Sequence, residues 1–134
     1  MNHLAMAVVI RDGFVLVQKR FRKNAGMVFE FPGGSMDVGE SGEQAAIREL
    51  WEETGLTNLK TLCTYKSINE NGGDIHYVVF GATMDAEPKE IDPCRQQTFY
   101  WFEVSQIPQS DFYSADVNFI KNYLGRYISQ TPQD

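Results

Sequence analysis

One stretch of this chain carries both of its own helix terminators. Ser41 is a residue type that accepts a hydrogen bond from the first helical turn, Gln44 completes a reciprocal capping box, and Gly55 supplies the left-handed residue that ends a helix. The spacing predicts a helix over Gly42 to Thr54. Ala46, Ile47, Leu50, Trp51 and Thr54 recur at helical spacing, which predicts that this stripe faces a core. Such a stripe needs a second layer to cover it, and the flanking sequence is rich in strands.

Leu4 to Arg11 and Phe14 to Lys19 are β-branched and apolar, and they flank Asp12-Gly13, a dipeptide suited to a type I′ hairpin. Met27 to Phe31 reads as a short strand ended by the forced turn Pro32-Gly33-Gly34. Beyond the helix, Thr61 to Asn69 and Ile75 to Met84 read as strands joined through Asn71-Gly72-Gly73. Asp85 to Arg95, with Pro88 and Pro93, reads as a loop, and Thr98 to Val104 as a further strand. From Ser114, taken as an N-cap, a second helix places Val117, Ile120, Leu124, Tyr127 and Ile128 on one face, interrupted by Gly125; Ser129 to Asp134 reads as a frayed tail. Strands and helices in this mixed order predict an α/β sandwich around a mixed β-sheet. With no repeat or linker, residues 1–134 read as one domain.

Composition excludes several classes. A chain of 134 residues that is 43% apolar buries an ordinary core without a disulfide framework. Leu4 to Ile10 is too short to span a membrane and no cationic stretch precedes it, which points to a cytoplasmic chain without a membrane partner. Cys63 and Cys94 form no metal-binding spacing. A formal charge of -6 argues against a nucleic-acid polymer as partner, because counterion-release binding needs clustered Lys and Arg. An anionic ligand would need a cation to accompany it.

The helix supplies a place for one. Glu49, Glu52 and Glu53 fall at i, i+3 and i+4, so three carboxylates share one side within a turn, where like charges repel unless a cation gathers there. Mg²⁺ prefers such hard oxygen ligands, together with substrate phosphates. From Gly34 the chain reads Gly34, five residues, Glu40, seven residues, Arg48-Glu49-Leu50, one residue, Glu52-Glu53, one residue, Gly55-Leu56. Seven fixed identities at this spacing arise by chance on the order of one time in a million.

This pattern, residues 34–56, is the Nudix box, and the chain resembles a small MutT-like Nudix hydrolase. Phe29-Glu30-Phe31-Pro32-Gly33-Gly34 resembles the family's strand and turn before the box, and Tyr100-Trp101-Phe102 its late aromatic strand. The resemblance implies an α/β/α sandwich and hydrolysis of a diphosphate linkage in a nucleoside diphosphate derivative with Mg²⁺ or Mn²⁺. It implies Glu52 and Glu53 as main metal ligands, the Gly33 carbonyl as another, and Glu49 as a further ligand or the general base. Arg48, four residues before Glu52, is placed to orient that carboxylate, and Glu40 to pair with Arg48 or favour the helix N-terminus.

Other features bear on substrate. Where many relatives carry one more glutamate before the late Trp, this chain has Gln96, Gln97 and Thr98, which leaves the metal count and the base open. Asn71 to Asp74 carries neither the Pro nor the Tyr of the subgroups that cleave ADP-ribose or dinucleoside polyphosphates. That favours a nucleoside triphosphate, oxidised or not, cleaved to monophosphate and pyrophosphate, with an NDP-sugar or ADP-ribose type compound as the alternative. A non-catalytic nucleotide sensor would have lost a box carboxylate, and none is lost. Arg20 is a candidate phosphate contact and Phe29 a candidate stacking surface. Asp116 in Phe112-Tyr113-Ser114-Ala115-Asp116 resembles the base-reading position of the triphosphatase branch, although a first-turn acid also complements a helix dipole. Monomer and homodimer both remain open.

Overall fold

The computed structural model describes residues 2–130. β1 (Leu4–Arg11) and β2 (Phe14–Arg22) form the expected hairpin, with Asp12 and Gly13 at φ 50° and 81°, as a two-residue type I′ turn requires. β3 (Gly26–Glu30) continues antiparallel from β2, which runs three residues further than its apolar pattern suggested. β5 (Lys60–Ile68) and β6 (Asp74–Gly81) form a second antiparallel pair, and β7 (Thr98–Phe102) closes on β2. The turn expected at Pro32-Gly33-Gly34 instead opens directly into a three-residue strand, β4 (Gly33–Ser35), which pairs with β1.

The result is one mixed sheet in the order β3-β2-β1-β6-β5, with β4 added to β1 and β7 to β2. β1 and β6 lie parallel from Leu4–Ile75 to Ile10–Gly81. A parallel pair needs a long crossover, and the intervening chain contains α1 (Gly42–Thr54). β1 is buried on both faces, which explains its unbroken apolar run. Ala5, Ala7 and Val9 meet Ala45, Ala46 and Leu50 of α1, while Val8 and Ile10 belong to the opposite core with Phe119, Ile120 and Leu124. The three layers are α/β/α, as expected.

α1 begins and ends as read. Ser41 and Gln44 make both capping-box bonds, and Gly55 takes φ 76°. Its orientation differs from the expected one. Ile47 and Trp51 are exposed, Trp51 at 57%, whereas Ala45, Ala46, Leu50, Glu53 and Thr54 are buried. The helix is rolled toward its acidic side. Two alanines allow close approach to the sheet there, and Glu53 takes an inward position that an apolar stripe would have given to Trp51.

The C-terminal helix also departs from its reading. α2 (Ser114–Phe119) has Tyr113, not Ser114, at its N-cap, and the Ser114 hydroxyl donates to Glu70 at 3.0 Å. The backbone widens to a π-turn over Ile120–Leu124 before α3 (Gly125–Gln130), so the segment continues through Gly125. The expected inward face holds: Phe119, Ile120 and Leu124 are buried, with Val117, Tyr127 and Ile128 packed against them. Helix extends to Gln130, so Ser129 and Gln130 are not part of a frayed tail; residues 131–134 of that expected tail lie outside the described residues.

Candidate active site

Arg48 holds the outer half of the acidic face. Its guanidinium donates to both oxygens of Glu40 at 2.8 and 2.9 Å, to Glu49 at 3.1 Å, to Glu52 at 3.2 Å and to the Ser35 carbonyl at 3.0 Å. Bidentate pairing with Arg48, helped by the Asp37 backbone N–H, brings the Glu40 carboxyl down to about 2. One side chain thus contacts both Glu40 and Glu52.

The inner half centres on Glu53. At 1% exposure it accepts from the Gly33 backbone N–H at 2.7 Å and from the Gln18 amide at 3.2 Å, and Arg95 Nη1 lies 3.5 Å from it. Burial outweighs these donors and pushes its carboxyl up to about 7. Burial also raises Glu49, whose carboxylate lies against Gly34 so closely that a Cβ there would come within 2.8 Å of it. At Gly33 a Cβ would strike the Ala5 carbonyl and come within 2.8 Å of the Met6 backbone. The two glycines let the β4 backbone pass between β1 and the box carboxylates.

The sequence reading gave no site role to Gln18 or Glu30, and marked Gln97 only as standing near where many relatives carry a glutamate. Gln18 faces Glu30 across the β2–β3 register, and its amide donates to both Glu30, at 3.0 Å, and Glu53, at 3.2 Å. Gln97 donates to the Gln18 carbonyl at 3.0 Å, and Arg22 donates to Glu30 at 2.8 Å. Gln18, Glu30, Glu53 and Gln97 are all buried. The available signal was alternation: Gln18, Arg20 and Arg22 share a strand face with Leu16, so polar residues follow an inward apolar one.

Beside Gly33 and Gly34 opens a cavity of about 260 Å³, lined by Arg22, Glu30, Asn69, Tyr113 and Asp116 among others. Asp116 is 3% exposed and accepts from the Tyr77 hydroxyl at 2.7 Å, so the helix dipole is not its only partner. Burial, reinforced by the charges of Glu30 and Glu70, pushes its carboxyl up to about 7. Phe29 and Arg20 are not among the lining residues. Phe29 packs 5.8 Å from Tyr100 and 6.1 Å from Phe102, under Lys19, and Arg20 feels Arg22, Glu30, Arg95 and Glu53 electrostatically.

The model of the NUDIX domain family matches residues 1–123. This protein is a Nudix hydrolase. An oxidized purine nucleoside triphosphate hydrolase of Danio rerio is 34% identical over 143 residues, covering 95% of this chain and 86% of the relative. An ADP-ribose pyrophosphatase of Methanocaldococcus jannaschii is 31% identical over 129 residues, covering 91% and 74%. The crystal structure of a MutT NUDIX hydrolase from Burkholderia pseudomallei superposes with a TM-score of 0.68 at 29% identity, covering 91% of this chain and 97% of that one. The chain is thus an enzyme of phosphoanhydride bonds, in a family that uses divalent metals. Its helices are too short or too polar to cross a membrane among the described residues.

The donor chemistry suits a hard cation: carboxylates on one helix, one of them buried. Among the described residues no three His, Cys, Asp or Glu side chains converge as a cage. Arg48 holds Glu49 and Glu52, while Gly33 and Gln18 hold Glu53.

Proposed function

We propose that this Nudix hydrolase cleaves a purine nucleoside triphosphate, oxidised or not, to the monophosphate and pyrophosphate. One observation carries the choice of substrate: Asp116, buried and hydrogen-bonded to Tyr77, lines a cavity that adjoins Gly33 and Gly34 and so leads to the box carboxylates. At about 260 Å³ the cavity falls just below the roughly 300–1,000 Å³ of whole-ligand sites, which suits a single base with its phosphates outside. The likeness to the Danio rerio enzyme supports the same reading.

Glu52, Glu53, Glu49 and the Gly33 carbonyl would hold Mg²⁺ or Mn²⁺, which when bound neutralises phosphoryl oxygens and lowers the pKa of water. Glu53 fits a ligand role because a buried carboxylate gains most from a cation. Glu49 is placed by Arg48 and Gly34, and as the half-buried acid with a raised pKa it is the residue assigned to accept the proton of the attacking water. Arg20, among the charges around Glu30 and Glu53, contributes to phosphate attraction, whereas the packing of Phe29 supports a structural role. A nucleotide substrate and two free cysteines fit a reducing, cytoplasmic setting for a chain acting as one domain.

The test is hydrolysis with Mg²⁺ of purine, oxidised purine and pyrimidine triphosphates, NDP-sugars, ADP-ribose and dinucleoside polyphosphates, with products identified. The expected outcome is a purine triphosphate as best substrate, pyrophosphate as product, and activity lost with EDTA and restored by Mg²⁺ or Mn²⁺. Release of orthophosphate alone, or preference for ADP-ribose, overturns the substrate assignment.

A further inference from the structure

The loop between β6 and β7 brings a guanidinium to the most buried carboxylate of the box. Arg95 Nη1 lies 3.5 Å from Glu53 Oε1 and Arg95 Nε lies 3.8 Å from Asp92, while the side chain stays 40% exposed. Its position is set by backbone. Lys89 N–H donates to the Thr54 carbonyl at 2.8 Å, tying the loop to the end of α1. Asp92 then caps the short turn Pro93–Arg95 through Cys94 N–H at 3.0 Å, and Gln96 at φ 52° reverses the chain so that Gln97 is buried beside Gln18.

Two neighbouring arginines are committed elsewhere, whereas Arg20 stands near Arg95 with its buried Nε unpaired. Arg48 is saturated by Glu40, Glu49 and Glu52, and Arg22 donates to Glu30 at 2.8 Å. Arg95 alone among these three is held only at 3.5 Å or beyond, with an exposed flank. A cation so close to Glu53 opposes the approach of a divalent ion to that carboxylate. A polyphosphate supplies acceptors better matched to the guanidinium fork than a single shared carboxylate oxygen.

We infer that Arg95 is a phosphate-binding residue, the counter-ion of Glu53 in the ligand-free enzyme and a clamp on the substrate's outer phosphates once a divalent cation is bound. The inference rests on the pyrophosphohydrolase reading and names the residue that grips the leaving diphosphate.

The test uses full-length Arg95→Ala and Arg95→Lys, with thermal midpoints recorded. Mn²⁺ affinity without nucleotide is measured by electron paramagnetic resonance, and binding of Mg²⁺-tripolyphosphate by calorimetry. Arg95→Ala is expected to bind Mn²⁺ about threefold more tightly or better, because a like charge is gone. It is expected to bind tripolyphosphate roughly tenfold more weakly, because the fork is gone. Arg95→Lys keeps the wild-type Mn²⁺ affinity and falls between on tripolyphosphate. Unchanged or weaker Mn²⁺ binding in Arg95→Ala, or unchanged tripolyphosphate binding in either variant, overturns the assignment. Should Arg95→Ala fail to fold, the tripolyphosphate result for Arg95→Lys decides alone. These binding arms need no turnover, so a wild-type protein that hydrolyses no triphosphate overturns the substrate reading and leaves this test intact.

Discussion

Tyr77 donates its phenolic hydrogen to Asp116 at 2.7 Å, joining the central parallel strand pair to the first turn of α2 at the wall of the cavity beside Gly33 and Gly34. The bond opposes, without cancelling, the burial and the charges of Glu30 and Glu70 that push the Asp116 carboxyl up to about 7. Between its ordinary 3.8 and about 7 the folded protein holds a proton that the unfolded chain releases. The stability contributed by Asp116 is therefore full below that window and lost as pH rises through it. Asp116→Asn keeps an acceptor for Tyr77 and removes the charge. Its thermal midpoint is expected to exceed that of the wild type at pH 8 and to match it at pH 4; an equal gap at both values refutes the shift.

Asp116 also tests the base pocket. If its carboxyl pairs with a purine edge, Asp116→Ala changes the ratio of kcat/KM between purine and pyrimidine triphosphates by roughly tenfold, about 1.4 kcal/mol. A ratio unchanged within error leaves Asp116 a structural partner of Tyr77.

Glu53→Gln is expected to lower kcat by about a hundredfold or more, since it removes a charged oxygen from the face proposed to hold the metal. Relief of repulsion on the helix would by itself stabilise this variant. The hydrogen-bond network reverses that sign. Both Glu53 oxygens receive donors, Gly33 on one and Gln18 with Arg95 on the other, so a new amide N–H₂ must confront a donor. The cost is about 1–3 kcal/mol. A thermal midpoint above the wild-type value would show that repulsion dominates.

Trp51 and Leu50 separate the two orientations of α1. Leu50 is buried between helix and sheet, and Leu50→Ala is expected to cost about 2–5 kcal/mol. Trp51 is 57% exposed, and Trp51→Ala is expected to cost less than about 1 kcal/mol. Chemical denaturation of the two variants checks the roll of the helix, and equal losses would contradict it.

The elements that could be read from sequence are those written in local chemistry. Asp12-Gly13, the Ser41–Gln44 box and Gly55 each act over a few residues, and each does in the structure what its chemistry demands. The rotation of α1 is not local. An apolar stripe through Ile47 and Trp51 satisfies helical periodicity as well as the true face, and the deciding partners, Gln18 and Gly33, come from strands distant in sequence. The box spacing showed which acids belong together without showing that Glu53 lies beneath an amide shared with Glu30. The approach of Arg95 to Glu53 and the burial of Gln97 were hidden for the same reason, since a loop turned inward by Gln96 looks in sequence like a solvated one.

Arg48 provides the final test, because it distinguishes an orienting guanidinium from an ordinary surface ion pair. One side chain spans Glu40, Glu49, Glu52 and the Ser35 carbonyl, so Arg48→Ala releases three carboxylates together. Partners that orient metal ligands typically change metal affinity or activity by about 10–100-fold, and a loss in that range is expected in kcat, with the Mg²⁺ activation midpoint moving upward. At saturating Mg²⁺ the nucleotide KM should change little, since Arg48 does not line the cavity proposed to take the base. Lys at this position keeps the charge without the fork that grips both Glu40 oxygens, so Arg48→Lys falls between the two. The pairing holds Glu40 near 2 rather than its ordinary 4.5, so its stabilisation is present above about pH 4.5 and disappears as pH falls toward 2. The gap in thermal midpoint between wild type and Arg48→Ala should close over the same interval. An unchanged Mg²⁺ activation curve, with only a small loss of stability, would reduce Arg48 to a surface ion pair.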